Sequence, residues 1–252
     1  MKKDTQMHDL VKLAIEAHGG LEEWSQISWI SAAFTVSGPS FKQRGPIGEA
    51  FAALPMRVSV DTREQQTIFE PFVAHGQKGI YRPLRTAIES LDGVPVEALN
   101  NPRDSLKTKE LGAPWSATQI LYFVGYSLWM YFTLPFSLLM NGVQCEELEP
   151  LVEEGEKWRA LKVTYPDSYP SHSTEQIHYF DDQGLMRRQD YTVDVRQNLG
   201  AAHYIYDHRT FDGFVFPTKR RIYSRSSDGA LLRDRLLISA DLDDFRLWRS
   251  AP

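Results

Sequence analysis

Cysteine is almost absent from this chain. Cys145 is its single cysteine, so neither an intrachain disulfide nor a cysteine metal cluster can form. Basic residues are also in the minority: 28 Lys and Arg face 33 Asp and Glu, for a net charge of −5. This balance argues against a nucleic-acid-binding protein, which presents a basic surface to its partner.

The motifs that mark the common enzyme and metal sites are missing as well. The sequence contains no HExxH, no GxSxG and no phosphate-cradling glycine motif. We therefore predict no catalytic residues, no metal site and no cofactor. The glycine-rich βα turn and the 30-residue βαβ rhythm of a doubly wound α/β fold are absent too.

Charge is missing from one long stretch. Residues 111–145 contain no Asp, Glu, Lys or Arg, and within them 115–140 is strongly apolar and aromatic. Such a segment could span a bilayer, form a buried core helix, or line a lipophilic cavity. A span is disfavoured because strands surround the segment and Pro135 and several hydroxyl residues interrupt it. The other two interpretations stay open, and a polar stripe at helical spacing slightly favours the cavity: Gln119, Tyr122, Tyr126, Thr133 and Ser137.

The rest of the chain is predicted to form one helix followed by strands. An amphipathic helix is predicted over 5–18, ending at Gly19-Gly20. Period-2 patterns predict strands at 30–36, 48–53, 56–62, 65–70, 78–82, 157–165, 175–180, 185–196, 202–208, 214–225 and 231–242. Residues 83–114 read as loop, with a short helix near 86–91.

These elements predict a mainly β (α+β) fold: a strongly curved antiparallel sheet, or incomplete β-barrel, of about ten strands. The N-terminal helix and the apolar helical insert are expected to cover its concave face. We expect a single domain over 1–252, with 8–245 as the half-barrel core and 105–142 as the insert.

Several short motifs resemble the superfamily of lipoprotein carriers, the Lol-type carriers and their relatives. They are Ala17-His18-Gly19-Gly20 closing the first helix, a strand of the Ile30–Val36 type, and Phe211-Asp212-Gly213-Phe214-Val215-Phe216-Pro217-Thr218 before the basic strand Lys219–Arg225. The resemblance implies an incomplete antiparallel barrel with helices on its apolar concave side, and a non-catalytic binder of acyl chains or similar groups. The sequence departs from that pattern in showing no export signal and no N-terminal lipid-anchor cysteine.

Ten residues are candidates for ligand binding. From the insert we expect Tyr122, Tyr126, Trp129 and Met130 to line the cavity. From the strands we expect Tyr191, Tyr204, Tyr206, His208, Arg220 and Asp234. Tyr204, Tyr206 and His208 share a strand face, and we favour an aromatic cross-strand ladder over ligand binding as their explanation. Asp234 lies on an otherwise apolar face, so we expect it to be buried and paired with Arg220, as a structural ion pair or as an anchor for a ligand acid.

The sequence thus predicts binding or carriage of a lipophilic small molecule. Two alternatives remain: an enzyme acting on a lipophilic substrate through Asp234 or the Tyr/His strand, and a module that docks its exposed aromatic helix on a membrane or partner. The first ten residues carry no apolar signal core, so we expect a cytoplasmic location. The oligomeric state is not predicted.

Overall fold

A single antiparallel sheet dominates the fold. The structure is a computed structural model, and it describes residues 8–110, 112–226 and 228–250. The thirteen strands are β1 Trp29–Ser37, β2 Met56–Asp61, β3 Gln66–Glu70, β4 Gln77–Arg82, β5 Arg85–Ser90, β6 Pro95–Asn100, β7 Gln144–Glu153, β8 Glu156–Thr164, β9 Glu175–Phe180, β10 Met186–Val193, β11 Leu199–Phe211, β12 Phe214–Arg225 and β13 Leu231–Trp248. In the described ranges, the six α-helices are α1 Asp9–Ala17, α2 Leu21–Trp24, α3 Pro39–Lys42, α4 Pro46–Ala53, α5 Pro102–Lys107 and α6 Ala117–Thr133.

The strand order follows the chain almost throughout. Six strands run β6-β5-β4-β3-β2-β1, and seven run β13-β12-β11-β10-β9-β8-β7. The two meanders join where β1 pairs antiparallel with β13. The sheet does not close, since β6 and β7 remain at its two edges. The predicted fold class, a curved antiparallel sheet with helices, is confirmed.

Helix α6 is the apolar insert, and it lies entirely inside the protein. All 17 of its residues are buried. A capping box begins the helix: Ser116 Oγ accepts from the Gln119 amide, and Gln119 Oε1 accepts from the Ser116 amide. Because the helix is apolar on all sides, its burial accounts for the missing charge of this stretch.

Two glycines let α6 approach the sheet closely. A Cβ on Gly125 of α6 would lie 2.3 Å from Cγ of Tyr81 in β4, and a Cβ on Gly79 of β4 would lie 2.9 Å from Cδ1 of Leu121. Each glycine therefore faces a large side chain of the other element. Two strand hydroxyls also bond the helix backbone: Thr67 donates to the Gly125 carbonyl and Thr86 to the Thr118 carbonyl.

The predicted N-terminal helix is present as α1. Residues 5–7 of the predicted range lie outside the described residues. Leu10, Val11, Ala14 and Ile15 bury its apolar face. After it, Gly19 and Gly20 adopt positive φ values of 120° and 81°, as the glycine pair at a helix end indicated.

Two local predictions are wrong. Residues 48–53 form helix α4 and not a strand, because Pro46 occupies a helix N-terminus, where its fixed φ and missing N–H are tolerated. The supposed loop over 83–114 contains the hairpin of β5 and β6, and residues 86–91, predicted as a short helix, fall largely in β5. The Pro, Asn and Asp residues that suggested a loop lie mainly in and around its turns.

The sheet carries a smaller apolar cluster apart from the main core. We call it the second cluster: Trp158, Ala160, Tyr179, Ala202 and Tyr204. Successive side chains of a strand point to opposite faces of the sheet, so the main core and the second cluster lie on different faces. In β11, His203 and Ile205 face α6, whereas Ala202 and Tyr204 belong to the second cluster. Among the described helices, none combines the length and the apolar character needed to cross a bilayer.

Candidate functional site

A small cavity lies between α6 and the strands that face it. Its volume is about 40 Å³. Most of the wall is apolar, and polar groups occur at one part of it. The lining residues come from β1, α3, α6, β10, β12 and β13, with one from the loop before β9: Phe34, Val36, Phe41, Phe123, Val124, Ser127, Leu128, Tyr131, His172, Tyr191, Arg220, Ile222, Ile238 and Ala240.

His172 connects the polar groups of this wall. Its Nδ1 lies 3.1 Å from the Tyr126 hydroxyl and its Nε2 lies 2.8 Å from the Tyr131 hydroxyl. The imidazole stacks on Tyr191, with ring centroids 4.0 Å apart and planes 5° apart. The Tyr191 hydroxyl in turn lies 3.2 Å from that of Tyr131. We call these four residues the His172 cluster.

Burial keeps this cluster uncharged. It lowers the pKa of His172 from 6.5 to about 3 and raises the pKa of Tyr131 to about 12. The pKa of Tyr126 and Tyr191 is also raised well above 10, mainly by burial. At neutral pH the cluster is therefore a set of neutral hydrogen-bonding groups.

Arg220 brings a positive charge to the same wall. The residue is 4% exposed. Its Nη2 donates to the main-chain carbonyl of Tyr131 at 3.0 Å, and its guanidinium carbon lies 4.7 Å from the centre of the Tyr131 ring. Nη1 lies 3.5 Å from Nε2 of His203, and Nε has no hydrogen-bond partner among the residues that the structure describes. Burial lowers the pKa of Arg220 to about 10, so it remains protonated at neutral pH.

Two more arginines lie beside the cluster. Arg103 donates to the Tyr122 hydroxyl at 3.2 Å and pairs with Asp194 at 2.9 Å. Arg44 is 2% exposed and lies between the rings of Trp115 and Phe123, with its guanidinium carbon 4.5 Å from each ring centre. Both positive charges help to lower the pKa of His172.

The structure brings together some of the predicted ligand-binding residues. Tyr191 and Arg220 line the cavity, Tyr126 contacts His172, and Tyr122 contacts Arg103. Trp129 instead donates from Nε1 to the carbonyls of Asp61 and Glu64. The Met130 sulfur lies 3.7 Å from Nε2 of Gln189.

Three other predicted residues lie elsewhere. Tyr204 belongs to the second cluster, and exposed Tyr206 stacks on it with ring centroids 6.1 Å apart. His208 lies beside His18 at the end of α1, with ring centroids 6.3 Å apart. None of the three lines the cavity.

The predicted pair of Asp234 with buried Arg220 does not form. Asp234 is exposed, and Arg220 lies opposite Ala240 in the β12–β13 register. The register shifts nearby, since Leu236 pairs with Tyr223 while Leu232 pairs with Ser224, so residues 233–235 bulge out. A bulge changes which face a side chain takes, and alternation alone could not reveal it.

His172 is the main residue that sequence reasoning missed. It lies between β8 and β9, where no period predicts which way a side chain points. Arg44 and Arg103 were missed for the same reason, because short helices and loops carry them. For His203 the sequence offered one signal, the alternation of side chains along β11, which places His203 on the face opposite that of Tyr204.

Further features bear on the alternative functions. The aromatic helix is fully buried, so the alternative of an exposed docking helix is wrong. Within the described ranges no three His, Cys, Asp or Glu side chains are grouped to hold a metal ion. Two larger depressions, of about 300 and 650 Å³, are surface grooves, and the larger is lined by charged side chains around Trp158.

Comparison with known proteins relates the chain to others by structure only. No protein-family model matches the sequence, and no curated protein matches it. A LolA superfamily protein from Nitrosomonas europaea has a solved structure that is 12% identical, with a TM-score of 0.52, covering 96% of this chain and 93% of that one. A DUF1329 family protein from Desulfovibrio piger is 11% identical, with a TM-score of 0.52 and coverage of 94% and 91%.

A third solved structure, from Vibrio parahaemolyticus, is described as an outer membrane lipoprotein-sorting protein domain. It is 9% identical, with a TM-score of 0.51 and coverage of 96% and 93%. The expectation of a cytoplasmic location is corrected by this finding, because the description of the third structure refers to the outer membrane. The chain has the fold of these solved structures, so the fold that the resemblance in its sequence implied is confirmed.

Proposed function

We propose that the protein binds or carries a lipophilic small molecule, with an acyl chain or similar group, between helix α6 and the concave face of the sheet. The observation that carries this proposal is the cavity itself: its wall is largely apolar, and polar groups gather where Tyr131, His172, Tyr191 and Arg220 meet. Apolar walls with a few convergent polar groups are typical of small-molecule sites. The shared fold with a domain described as an outer membrane lipoprotein-sorting protein also supports a lipophilic ligand.

The cavity is too small in this structure to hold an acyl chain. Its volume of about 40 Å³ admits only a few water molecules, whereas sites for drug-sized ligands typically measure about 300–1,000 Å³. Uptake of a chain therefore requires α6, or α3 with its cavity-lining Phe41, to move away from the sheet. A bound ligand would then contact the apolar side chains that these elements now cover. Its binding gains roughly 25 cal/mol of free energy for each Å² of apolar surface that is buried.

Native mass spectrometry of the purified protein, combined with displacement of a fluorescent fatty acid, tests the proposal. We expect co-purifying lipophilic molecules and saturable displacement. Ala240→Val adds bulk to the cavity wall and is expected to weaken binding. The matched control is Ala202→Val, which adds the same bulk to the second cluster and should leave binding unchanged. A protein that carries no lipid and binds no probe contradicts the proposal.

A further inference from the structure

Arg220 is a buried cation without a buried anion. Among the described residues no carboxylate lies within ion-pair distance of it, and its polar contacts are the Tyr131 carbonyl and His203. Removing a charge from water without a partner is strongly unfavourable. A cost of this kind at a cavity wall calls for an explanation.

Arg188 shows how this chain treats a buried arginine elsewhere. Its Nε and Nη2 donate to Asp190 at 2.6 and 2.8 Å, and Nη1 donates to Glu153 at 2.8 Å. Arg188 is 7% exposed and Arg220 is 4% exposed, so their burial is similar. Among the described residues, the chain thus supplies carboxylates to Arg188, which lies over the rings of Tyr179 and Tyr204 of the second cluster, and none to Arg220 at the cavity.

The surroundings of Arg220 are positive or neutral. His18, His172 and His203 face it and are neutral, because burial lowers their pKa below 6.5. Tyr131 and Tyr191 are neutral as well, because burial raises their pKa. Arg44 adds another buried guanidinium, and its hydrogen bonds within the described part of the chain run to Ser40. In a chain of net charge −5, this interior is locally positive.

The Nη2 group of Arg220 has a structural role. The carbonyl of Tyr131 would normally accept from the amide four residues later, but residue 135 is a proline and has no amide hydrogen. Nη2 of Arg220 replaces that donor. This role uses one N–H, while the Nε–H has no partner within the described part of the chain.

We infer that the ligand is a lipophilic acid, and that an oxygen of its carboxylate or phosphate group accepts a hydrogen bond from Nε of Arg220 while its chain lies along α6. The inference rests on the proposed function and names the chemical class of the ligand. Guanidinium groups bind carboxylate and phosphate through charge-assisted hydrogen bonds. The existing void of about 40 Å³ suits a head group of a few atoms, and only the chain requires the helix to move.

The test compares ligands that differ only in their head group. Dissociation constants are measured for a long-chain fatty acid, its methyl ester, the matching alcohol and the matching monoalkyl phosphate, with the wild-type protein. We expect one or both acids to bind at least about tenfold more tightly than the alcohol and the ester. The fatty acid and the phosphate form separate arms, and the tighter one identifies the head group.

The variant Arg220→Met is expected to remove this preference, lowering acid affinity at least about tenfold while alcohol affinity stays unchanged. The matched control is Arg221→Met, which removes the same charge from the next residue, where it pairs with Asp241 toward the surface. That control should keep the preference for acids. If Arg220→Met does not fold, the wild-type ratio of acid to alcohol decides alone.

The outcomes separate the two claims. If acids and alcohol bind wild-type protein equally well, the inference is overturned and the proposed function stands. If Arg220→Met folds and still prefers acids, the inference is overturned as well. If no ligand in the series binds, both are overturned.

Discussion

Arg220 donates a hydrogen bond from Nη2 to the main-chain carbonyl oxygen of Tyr131, 3.0 Å away. Pro135 leaves that carbonyl without its usual helical donor, so a strand side chain completes the end of the buried helix. The same guanidinium lies over the Tyr131 ring and reaches the cavity. One residue therefore connects helix, sheet and candidate site.

The first prediction contrasts the two buried arginines. Arg188→Met removes the partner that Asp190 and Glu153 share and leaves Asp190 with Arg225 and Glu153 with exposed Arg233, so we expect a loss of about 3 kcal/mol in the free energy of unfolding. Arg220→Met removes an unpaired buried charge, and the relief offsets the lost contacts with Tyr131 and His203, so we expect stability to change by less than about 1 kcal/mol or to rise. Urea denaturation of both variants measures the difference. Equal losses would contradict the view that Arg220 lacks a counter-ion.

A second prediction concerns His172. His172→Phe keeps a ring to stack on Tyr191 but removes both nitrogens, leaving the hydroxyls of Tyr126 and Tyr131 short of a partner. We expect the free energy of unfolding to fall by about 2–4 kcal/mol, since an unsatisfied buried polar group costs about 1–3 kcal/mol. The same substitution at exposed His75 is the control and should change little. A loss no larger at His172 than at His75 would show that the cluster does not hold the helix.

The third prediction is a dependence of stability on pH. Burial lowers the pKa of His18 and His208 to about 4, that of His172 and His178 to about 3, and that of His203 well below 6.5. The unfolded chain takes up protons near pH 6.5 while the folded chain does not. Stability is therefore complete above pH 6.5 and falls as the pH drops from 6.5 toward 4, by about 1.4 kcal/mol per pH unit for each histidine.

Chemical denaturation between pH 7.5 and 4.5 measures this slope. His178→Gln should reduce the slope below pH 6 by about 1.4 kcal/mol per pH unit. His75→Gln, at an exposed position, should not reduce it. A flat profile between pH 7 and 5 would mean that these histidines titrate alike in the folded and unfolded chain.

The fourth prediction addresses the close approach of α6 to β4. Alanine is normally the better helix former, but a Cβ on Gly125 would lie 2.3 Å from Tyr81. We expect Gly125→Ala to lower the free energy of unfolding by about 1–3 kcal/mol through overpacking. Ser127→Ala, in the same helix, adds no atom and should cost less than about 1 kcal/mol. A stabilised Gly125→Ala protein would disprove the tight contact.

The elements that were predicted correctly from the sequence are those in which apolar residues recur at a clear period and form a buried face. Strand β9 occupies its predicted range of 175–180, and β2 lies within its predicted range of 56–62. The apolar insert was recognised because no exposed helix could carry so little charge. Two residues of its polar stripe also have hydrogen-bond partners: Tyr122 contacts Arg103 and Tyr126 contacts His172.

The features that did not follow depend on tertiary context. The bulge near Asp234 reversed the expected inward direction of a carboxylate, and bulges leave no clear mark in a single sequence. The position of His172 is set by contacts with three tyrosines that lie 41, 46 and 19 residues away along the chain. Such convergence arises only when the whole sheet has folded around the helix.

Photolabelling with a fatty acid that carries a diazirine in its chain, followed by peptide mass spectrometry, tests the central claim most directly. We predict adducts on the cavity-facing parts of α6 and β12–β13, around Phe123, Leu128, Ile222 and Ile238, and competition by unlabelled fatty acid. Adducts confined to exposed apolar residues such as Leu84, Val94 and Val96 would contradict a ligand site between the helix and the sheet.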